Sequence, residues 1–390
     1  MRVLHVIPSV SDMYGGPSRA IIDIERALAQ RAIDVTVVST KDINEHMEFF
    51  GETAPGVGPL LPKRISFVKN TRFYKISFEL GRWLKRNVEK FDLVHVHGAF
   101  SFPSVAAAFV ARNKGVPYVV RPLGVLRQYG MNRRRPFLKR ISFALIERAL
   151  LESAAAVHFT SAAEMSDAEK IGLRCNGVVI PLGIDVRVTP PQWRENGSQL
   201  FTLLFLSRLD PVKNLEGLLR AFALVANETP NAVLKIAGDG APQYVRSLKA
   251  LAETLAIADR VEWLGHVTGG RKADLFSTAS AFVLPSHSES FGIAAVEALA
   301  AGLPCIVSDE VAIAPDIEKA GAGVVTSTDP RDLAASIRRL QGDKKLCFVM
   351  SAAARILAEE NFSLDVMGVR LEALYRRICE VDLRRPVKAS

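Results

Sequence analysis

Two carboxylates flank one turn late in the chain. In Pro285-Ser286-His287-Ser288-Glu289-Ser290-Phe291-Gly292-Ile293-Ala294-Ala295-Val296-Glu297, Glu289 stands just before a Ser290–Gly292 turn. Glu297 follows about two helical turns along. Such a turn starts a helix whose first N–H groups lack intrahelical acceptors, so Ser290, Phe291, Gly292 and Ile293 offer an anion a seat. Each carboxylate accepts from two hydroxyls, which suits a hydroxyl-rich ligand. Upstream, Ser207-Arg208-Leu209-Asp210-Pro211-Val212-Lys213 sets a guanidinium fork and an ammonium on either side of a proline turn, a pair suited to one phosphate. Solvated surface charge is the plain alternative for that pair. Paired carboxylates also serve glycosidases, but the cations and glycine turns point to a phosphate that a glycosidase does not need.

Three more groups join these. Gly15-Gly16 precede the helical periodicity of Ile21, Ile24, Ala27 and Leu28, so backbone can approach an anion there, although the pair equally suits an ordinary turn. It is not G-x-G-x-x-G, and Ser39-Thr40-Lys41-Asp42 supplies no clean ribose acid, so a dinucleotide reading loses ground. His95-Val96-His97-Gly98 sends two imidazoles to one side of a strand. A metal there needs a third ligand and none is near in sequence, so no metal site is expected; one histidine is read as packed in the fold and His97 as facing a cleft. After a further strand, Arg121-Pro122-Leu123-Gly124-Val125-Leu126-Arg127-Gln128-Tyr129 carries two cations and a phenol.

All of these residues fall after short β-branched runs, and the elements that position them follow from that. Strands are expected at Val3–Pro8, Val35–Ser39, Leu93–His97, Tyr118–Val120, Ala156–Phe159 and Val178–Pro181, then at Phe201–Leu206, Val233–Ala237, Val261–Leu264, Ala281–Leu284, Cys305–Val307 and Gly323–Val325. Amphipathic helical patterns separate them, and apolar runs such as Leu203-Leu204-Phe205-Leu206 suit strands buried on both faces. The expected fold class is therefore α/β, two doubly wound Rossmann-like domains facing each other across a cleft. Polar, proline-containing residues 186–199 read as the linker between a domain at 1–185 and one at 200–364, with a final helix over 365–390 that could return to the first domain.

Composition excludes several classes. The 390 residues are 49% hydrophobic and 23% charged, which rules out a mainly disordered or collagen-like chain. Four cysteines without a C-x-x-C pair indicate neither a disulfide framework nor a zinc module and fit a reduced, cytoplasmic setting. The apolar start ends at Pro8, too short for a signal segment, and no run approaches the ~20 apolar residues of a spanning helix, so a soluble or peripheral protein is expected.

The net charge of +9 is uneven. Residues 1–190 hold 27 Lys/Arg against 17 Asp/Glu, and 63–140 hold 18 against three, whereas 191–390 are nearly neutral. Nucleic acid, an anionic membrane and an acidic partner all fit such a patch. Ile76, Leu80, Trp83, Leu84, Val88 and Phe91 lie at helical spacing, and 133–143 mix Arg133, Arg134, Arg135, Lys139 and Arg140 with Phe137 and Phe143. Both stretches suit an anionic lipid surface, though a core-facing stripe is the better reading of 76–91. No helix-turn-helix, zinc or stacking signature supports nucleic acid.

Taken together, Gly15-Gly16, His97, Arg208 with Lys213, Gly238-Asp239-Gly240 and E-S-F-G-I-A-A-V-E at 289–297 resemble the family 4 retaining glycosyltransferases of the GT-B fold, in order and spacing, over nearly the whole chain. The resemblance implies an acceptor-binding first domain and a donor-binding second. It places Gly15 and Gly16 at the donor diphosphate, His97 at the donor sugar, and Arg208 and Lys213 on the leaving diphosphate with the N–H groups of Phe291, Gly292 and Ile293. Glu289 would take sugar hydroxyls, Glu297 the ribose, and Gly238 and His266 would lie beside the nucleotide. Arg121, Arg127 and Tyr129 are the acceptor-side candidates.

The implied reaction moves a hexose from a nucleotide sugar, UDP-glucose foremost, to a lipid-linked or oligosaccharide acceptor in exopolysaccharide or cell-envelope synthesis at the inner membrane face. It needs no cofactor or metal, and the sequence has no Asp-x-Asp. A nucleotide-sugar epimerase on the same fold and a non-enzymatic sugar-binding protein are the alternatives.

Overall fold

Short apolar runs alternate along most of the chain with segments of helical periodicity, and a chain of that rhythm builds parallel sheets covered by helices on both faces. The computed structural model describes residues 1–10, 16–42, 63–71, 73–127, 131, 136–186, 200–229 and 231–383. It divides into two compact units, Met1–Gly183 with Leu364–Ser390, and Ile184–Ser363.

Unit 1 holds β1 (Arg2–Ile7), β2 (Asp34–Lys41), β3 (Lys63–Val68), β4 (Leu93–His97), β5 (Tyr118–Arg121), β6 (Ala156–Phe159) and β7 (Gly177–Val179). Their order in the sheet is β3-β2-β1-β4-β5-β6-β7, and every pair is parallel. Unit 2 holds β8 (Phe201–Leu206), β9 (Ala232–Ala237), β10 (Val261–Gly265), β11 (Ala281–Leu284), β12 (Cys305–Ser308) and β13 (Gly323–Thr326), ordered β10-β9-β8-β11-β12-β13 and again parallel. Strand order reverses between β1 and β4 and between β8 and β11. At such switch points the loops leaving the carboxyl ends part in opposite directions and open a ligand crevice.

Periodicity does not announce β3. Lys63-Arg64-Ile65-Ser66-Phe67-Val68 pairs with β2 at the sheet edge and is nowhere fully buried, so its cations read as part of the basic patch. Charged residues on an edge strand also discourage pairing with a foreign strand.

The period of two sorts the unit 1 core by face. Leu4, Val6, Val94, Val96, Val120 and Val157 lie on one face, beneath Leu80, Leu84 and Val88, which come from the 76–91 stretch and pack as a core stripe. Val3, Ile7, Leu93, Val119 and Ala156 lie on the other, under the helices Gly16–Ala29 and Leu364–Leu383. The latter helix contributes Leu364, Met367, Leu371, Leu374, Tyr375 and Ile378 to unit 1, one apolar stripe at three- and four-residue spacing. Arg31 holds its start, donating to the Asp365 carboxylate at 2.6 Å. Among the described residues, no helix is long and apolar enough to cross a membrane.

Candidate functional site

In unit 2 the candidate residues come together at the β8/β11 switch point. After β8, Asp210 caps the turn Pro211–Lys213 by accepting from Val212 N–H at 3.1 Å. Asn214, at φ 55°, then caps the helix Leu215–Ala226 through Gly217 N–H. This double cap fixes the Lys213 backbone, and the side chain lies buried against Glu289, with which its ammonium is paired. Arg208 is exposed.

The loop after β11 is pinned from two sides. His287 N–H donates to Val212 O at 2.8 Å, Glu289 N–H to Glu310 O at 3.1 Å, and Ala312 N–H to Glu289 O at 3.0 Å. Gly292, at φ 94°, caps the helix Ile293–Ala300 without a side-chain hydrogen bond, so this helix start presents backbone donors alone. Phe291 anchors the turn edge-on against Phe362, ring centres 5.7 Å apart. Ser290 is half-buried. Glu297 is paired with Lys272 at 2.6 Å. Lys272 escaped the sequence reading because nothing in the spacing of Gly269-Gly270-Arg271-Lys272 ties it to a carboxylate 25 residues on.

Gly238 makes the neighbouring wall. At φ 135°, any Cβ there would stand 1.9 Å from Ser207 O, so only glycine lets the β8 and β9 loops touch. Gly238 N–H donates to Gly265 O at 2.7 Å, bringing in the loop of His266, whose side chain is exposed.

Unit 1 departs further from expectation. Gly15 and Tyr129 lie outside the described residues, and so do Arg133–Arg135; Gly16 opens its helix exposed. His97 does not face a cleft. It is fully buried, its Nε2 2.9 Å from His5 Nδ1, because parallel pairing sets His5 of β1 opposite His95 of β4. His95 Nδ1 meets the Tyr375 hydroxyl at 2.6 Å, and His158 reaches Ile180 O at 2.8 Å. Sequence distance concealed the third histidine: nitrogens of His5, His95 and His97 lie within 4.8 Å of one another.

Burial, then the Arg121 charge, pushes His5 down to about 3; His95 and His97 are held well below the imidazole range by burial and their cationic and imidazole neighbours. Arg121, an acceptor-side candidate, is itself fully buried. Arg127, also buried, is paired with Asp167 at 3.0 Å and so braces the fold.

A buried acid completes the picture. Glu147 ends the π-helical turn Phe143–Glu147 and accepts from Phe100 N–H at 3.0 Å and from the Tyr74 hydroxyl at 3.2 Å. Burial raises its pKa to about 7. Both partners sit in strained left-handed backbone, Tyr74 at φ 54° and Phe100 at φ 56°.

Two doubly wound parallel units, one carrying a helix start with bare backbone donors between two carboxylates, match the architecture of a known class of transferases. Residues 15–183 match the Glycosyl transferase 4-like domain and residues 191–357 the Glycosyl transferases group 1 family. The chain belongs to the family 4, group 1 glycosyltransferases of the GT-B fold.

D-inositol 3-phosphate glycosyltransferase of Streptomyces avermitilis is 32% identical over 190 residues, 45% of this chain and 41% of that protein. The chain thus spans about two fifths of the length of these curated relatives. A phosphatidylinositol N-acetylglucosaminyltransferase subunit from Arabidopsis thaliana is 28% identical over 70% of this chain and 60% of its own length. Among solved structures, HepE of Anabaena in complex with UDP and glucose shares the fold, with a TM-score of 0.76 at 19% identity over 97% of this chain and 100% of that one.

Proposed function

We propose that the chain is a retaining, metal-independent hexosyltransferase that moves a sugar, glucose foremost, from a uridine diphosphate donor to a lipid-linked glycan acceptor in exopolysaccharide or cell-envelope synthesis. One observation carries the reading: β8, β9 and β11 deliver Lys213, Glu289, Gly238 and the bare helix start at Gly292 to one end of one sheet. The complex of HepE with UDP and glucose supports the choice of base and sugar.

The geometry suggests how binding proceeds. Lys213 and Glu289 neutralise each other, as do Lys272 and Glu297. A nucleotide sugar offers the first pair other partners. Lys213 and Arg208 turn to the diphosphate and Glu289 to the sugar hydroxyls, while Glu297 accepts from the ribose and keeps Lys272 beside it, so the buried Lys213–Glu289 pair is exchanged for ligand contacts rather than broken. As the sugar–phosphate bond breaks, charge grows on the phosphate oxygens, where two cations and the helix N–H groups already point. The acceptor hydroxyl attacks the face the diphosphate leaves, and the departing oxygen takes its proton, so no separate base is required.

Unit 1 supports an acceptor borne on an anionic membrane. Phe137, Leu138, Ile141 and Leu145 are exposed between 136 and 147, beside the half-buried Lys139 and the exposed Arg140. Thermal-shift screening tests the donor assignment: UDP stabilises the chain, GDP does not, and Glu297→Ala abolishes the response. Equal responses to UDP and GDP overturn it, and consumption of UDP-glucose without any acceptor favours the epimerase.

A further inference from the structure

Alternation along the strands places His5, His95, His97, Arg121 and His158 on the same sheet face as Val3, Ile7, Leu93, Val119 and Ala156, toward the carboxyl ends. This polar stripe is fully buried, and its charge does not balance. Arg121 is lowered by burial only to about 10, so it stays ionised at neutral pH, while burial and the Arg121 charge hold His5 and His158 down to about 3.

Glu164 is the acid whose charge reaches Arg121, but its oxygens are already taken by Gly124 N–H at 2.6 Å, Thr160 N–H at 2.8 Å and the Thr160 hydroxyl at 2.9 Å. The Arg121 Nε, Nη1 and Nη2 atoms find no acceptor, and His5 Nε2 and His97 Nδ1 find no partner. A buried cation with three unmet nitrogens beside neutral rings lacks one negative charge and several acceptors.

We propose that Arg121, with His5 Nε2 and His97 Nδ1, forms a buried anion site in unit 1 that takes a phosphate group. The guanidinium fork matches two phosphate oxygens. Whichever ring donates in the 2.9 Å His5–His97 bond, one of the two open nitrogens carries a proton and the other a lone pair, so the rings meet a phosphate oxygen and a P–OH together. A metal on His5, His95 and His97 is the rival occupant. Both nitrogens of His95 are engaged, by Tyr375 and by His158 at 3.4 Å, and the Arg121 charge that depresses these imidazoles would repel a dication more strongly. Phosphate as the occupant rests on the transferase reading above, in which the donor is a nucleoside diphosphate sugar, with the lipid link of the acceptor taken to be a diphosphate as well.

Calorimetric titration of the full chain with inorganic phosphate tests the site, in an Arg208→Ala/Lys213→Ala background that removes the phosphate contacts of unit 2. One phosphate is expected to bind, and adding Arg121→Met is expected to weaken it by about tenfold or more. Equal binding with and without Arg121, or no binding to either chain, overturns the proposal. So does a stoichiometric transition metal in the purified protein that His5→Gln removes. If Arg121→Met does not fold, as judged by circular dichroism, His97→Gln replaces it with the same expected loss, and unchanged phosphate affinity there overturns the proposal equally.

Titrating farnesyl diphosphate and UDP into chains with intact unit 2 identifies the source. Loss confined to farnesyl diphosphate assigns the acceptor, loss confined to UDP assigns the donor, and loss of inorganic phosphate alone assigns a free-phosphate effector. UDP affinity indifferent to Arg208→Ala/Lys213→Ala would sink the donor assignment while leaving the Arg121 result standing.

Discussion

Glu147 carries a prediction whose size and sign both follow from its surroundings. Its pKa rises from 4.5 to about 7 because burial penalises the carboxylate more than the Phe100 N–H and Tyr74 hydroxyl favour it. A raised folded-state pKa means that the favourable, protonated form is fully present below the unfolded value and is lost as pH rises through 7. The shift corresponds to about 3 kcal/mol, gone by pH 8.5.

Glu147→Gln keeps the shape and the acceptor for Phe100 but cannot ionise. The variant is expected to match the wild type within about 1 kcal/mol at pH 5 and to exceed it by about 2–3 kcal/mol at pH 8.5. Hydrogen exchange in peptides from the unit 1 helix Phe102–Asn113 reads this directly, since comparing the two proteins at each pH cancels the intrinsic pH dependence of exchange. A protection ratio that stays constant between pH 5 and 8.5, or that favours the wild type at high pH, would refute the reasoning.

Other expectations are simpler. Gly238→Ala forces a methyl into the Ser207 carbonyl and should lower unit 2 stability by about 3 kcal/mol or more, seen as a depressed Tm and a lost UDP response. Tyr375→Phe leaves His95 Nδ1 buried without a partner and should cost about 1–3 kcal/mol by urea unfolding, whereas an unchanged midpoint would show that the bond contributes nothing. Phe137 and Leu145 are 73% and 75% exposed, so Phe137→Glu with Leu145→Glu should leave Tm unchanged and reduce co-sedimentation with phosphatidylglycerol vesicles by about tenfold.

Much of the unit 2 candidate site is legible because its residues are local in sequence. Glu289, Gly292 and Glu297 share one turn and one helix, and Lys213 follows its strand by a few residues. Period and turn residues therefore locate them before any fold is known. The unit 1 residues are instead brought together by sheet order. His5, His97 and Arg121 come from three strands, and only the sequence β1-β4-β5 reveals that they share a face. Tyr375 is further away still, on a helix that follows the whole of unit 2. Burial explains why His97 does not take the cleft-facing position expected of it: polar residues at strand ends usually meet solvent, and here the helix Leu364–Leu383 covers the sheet face that carries His97 and Arg121.

That covering helix has a consequence for the order of events during synthesis. Residues 364–383 leave the ribosome after all of Ile184–Ser363, yet they finish the first unit's core. Until they arrive, Val3, Leu93 and Val119 lack part of their cover and His95 lacks Tyr375. Unit 2 can close around contiguous chain while unit 1, begun earlier, waits. In the newborn protein the second unit should mature first, and the first should depend on chaperone shelter for the time needed to translate some 180 further residues.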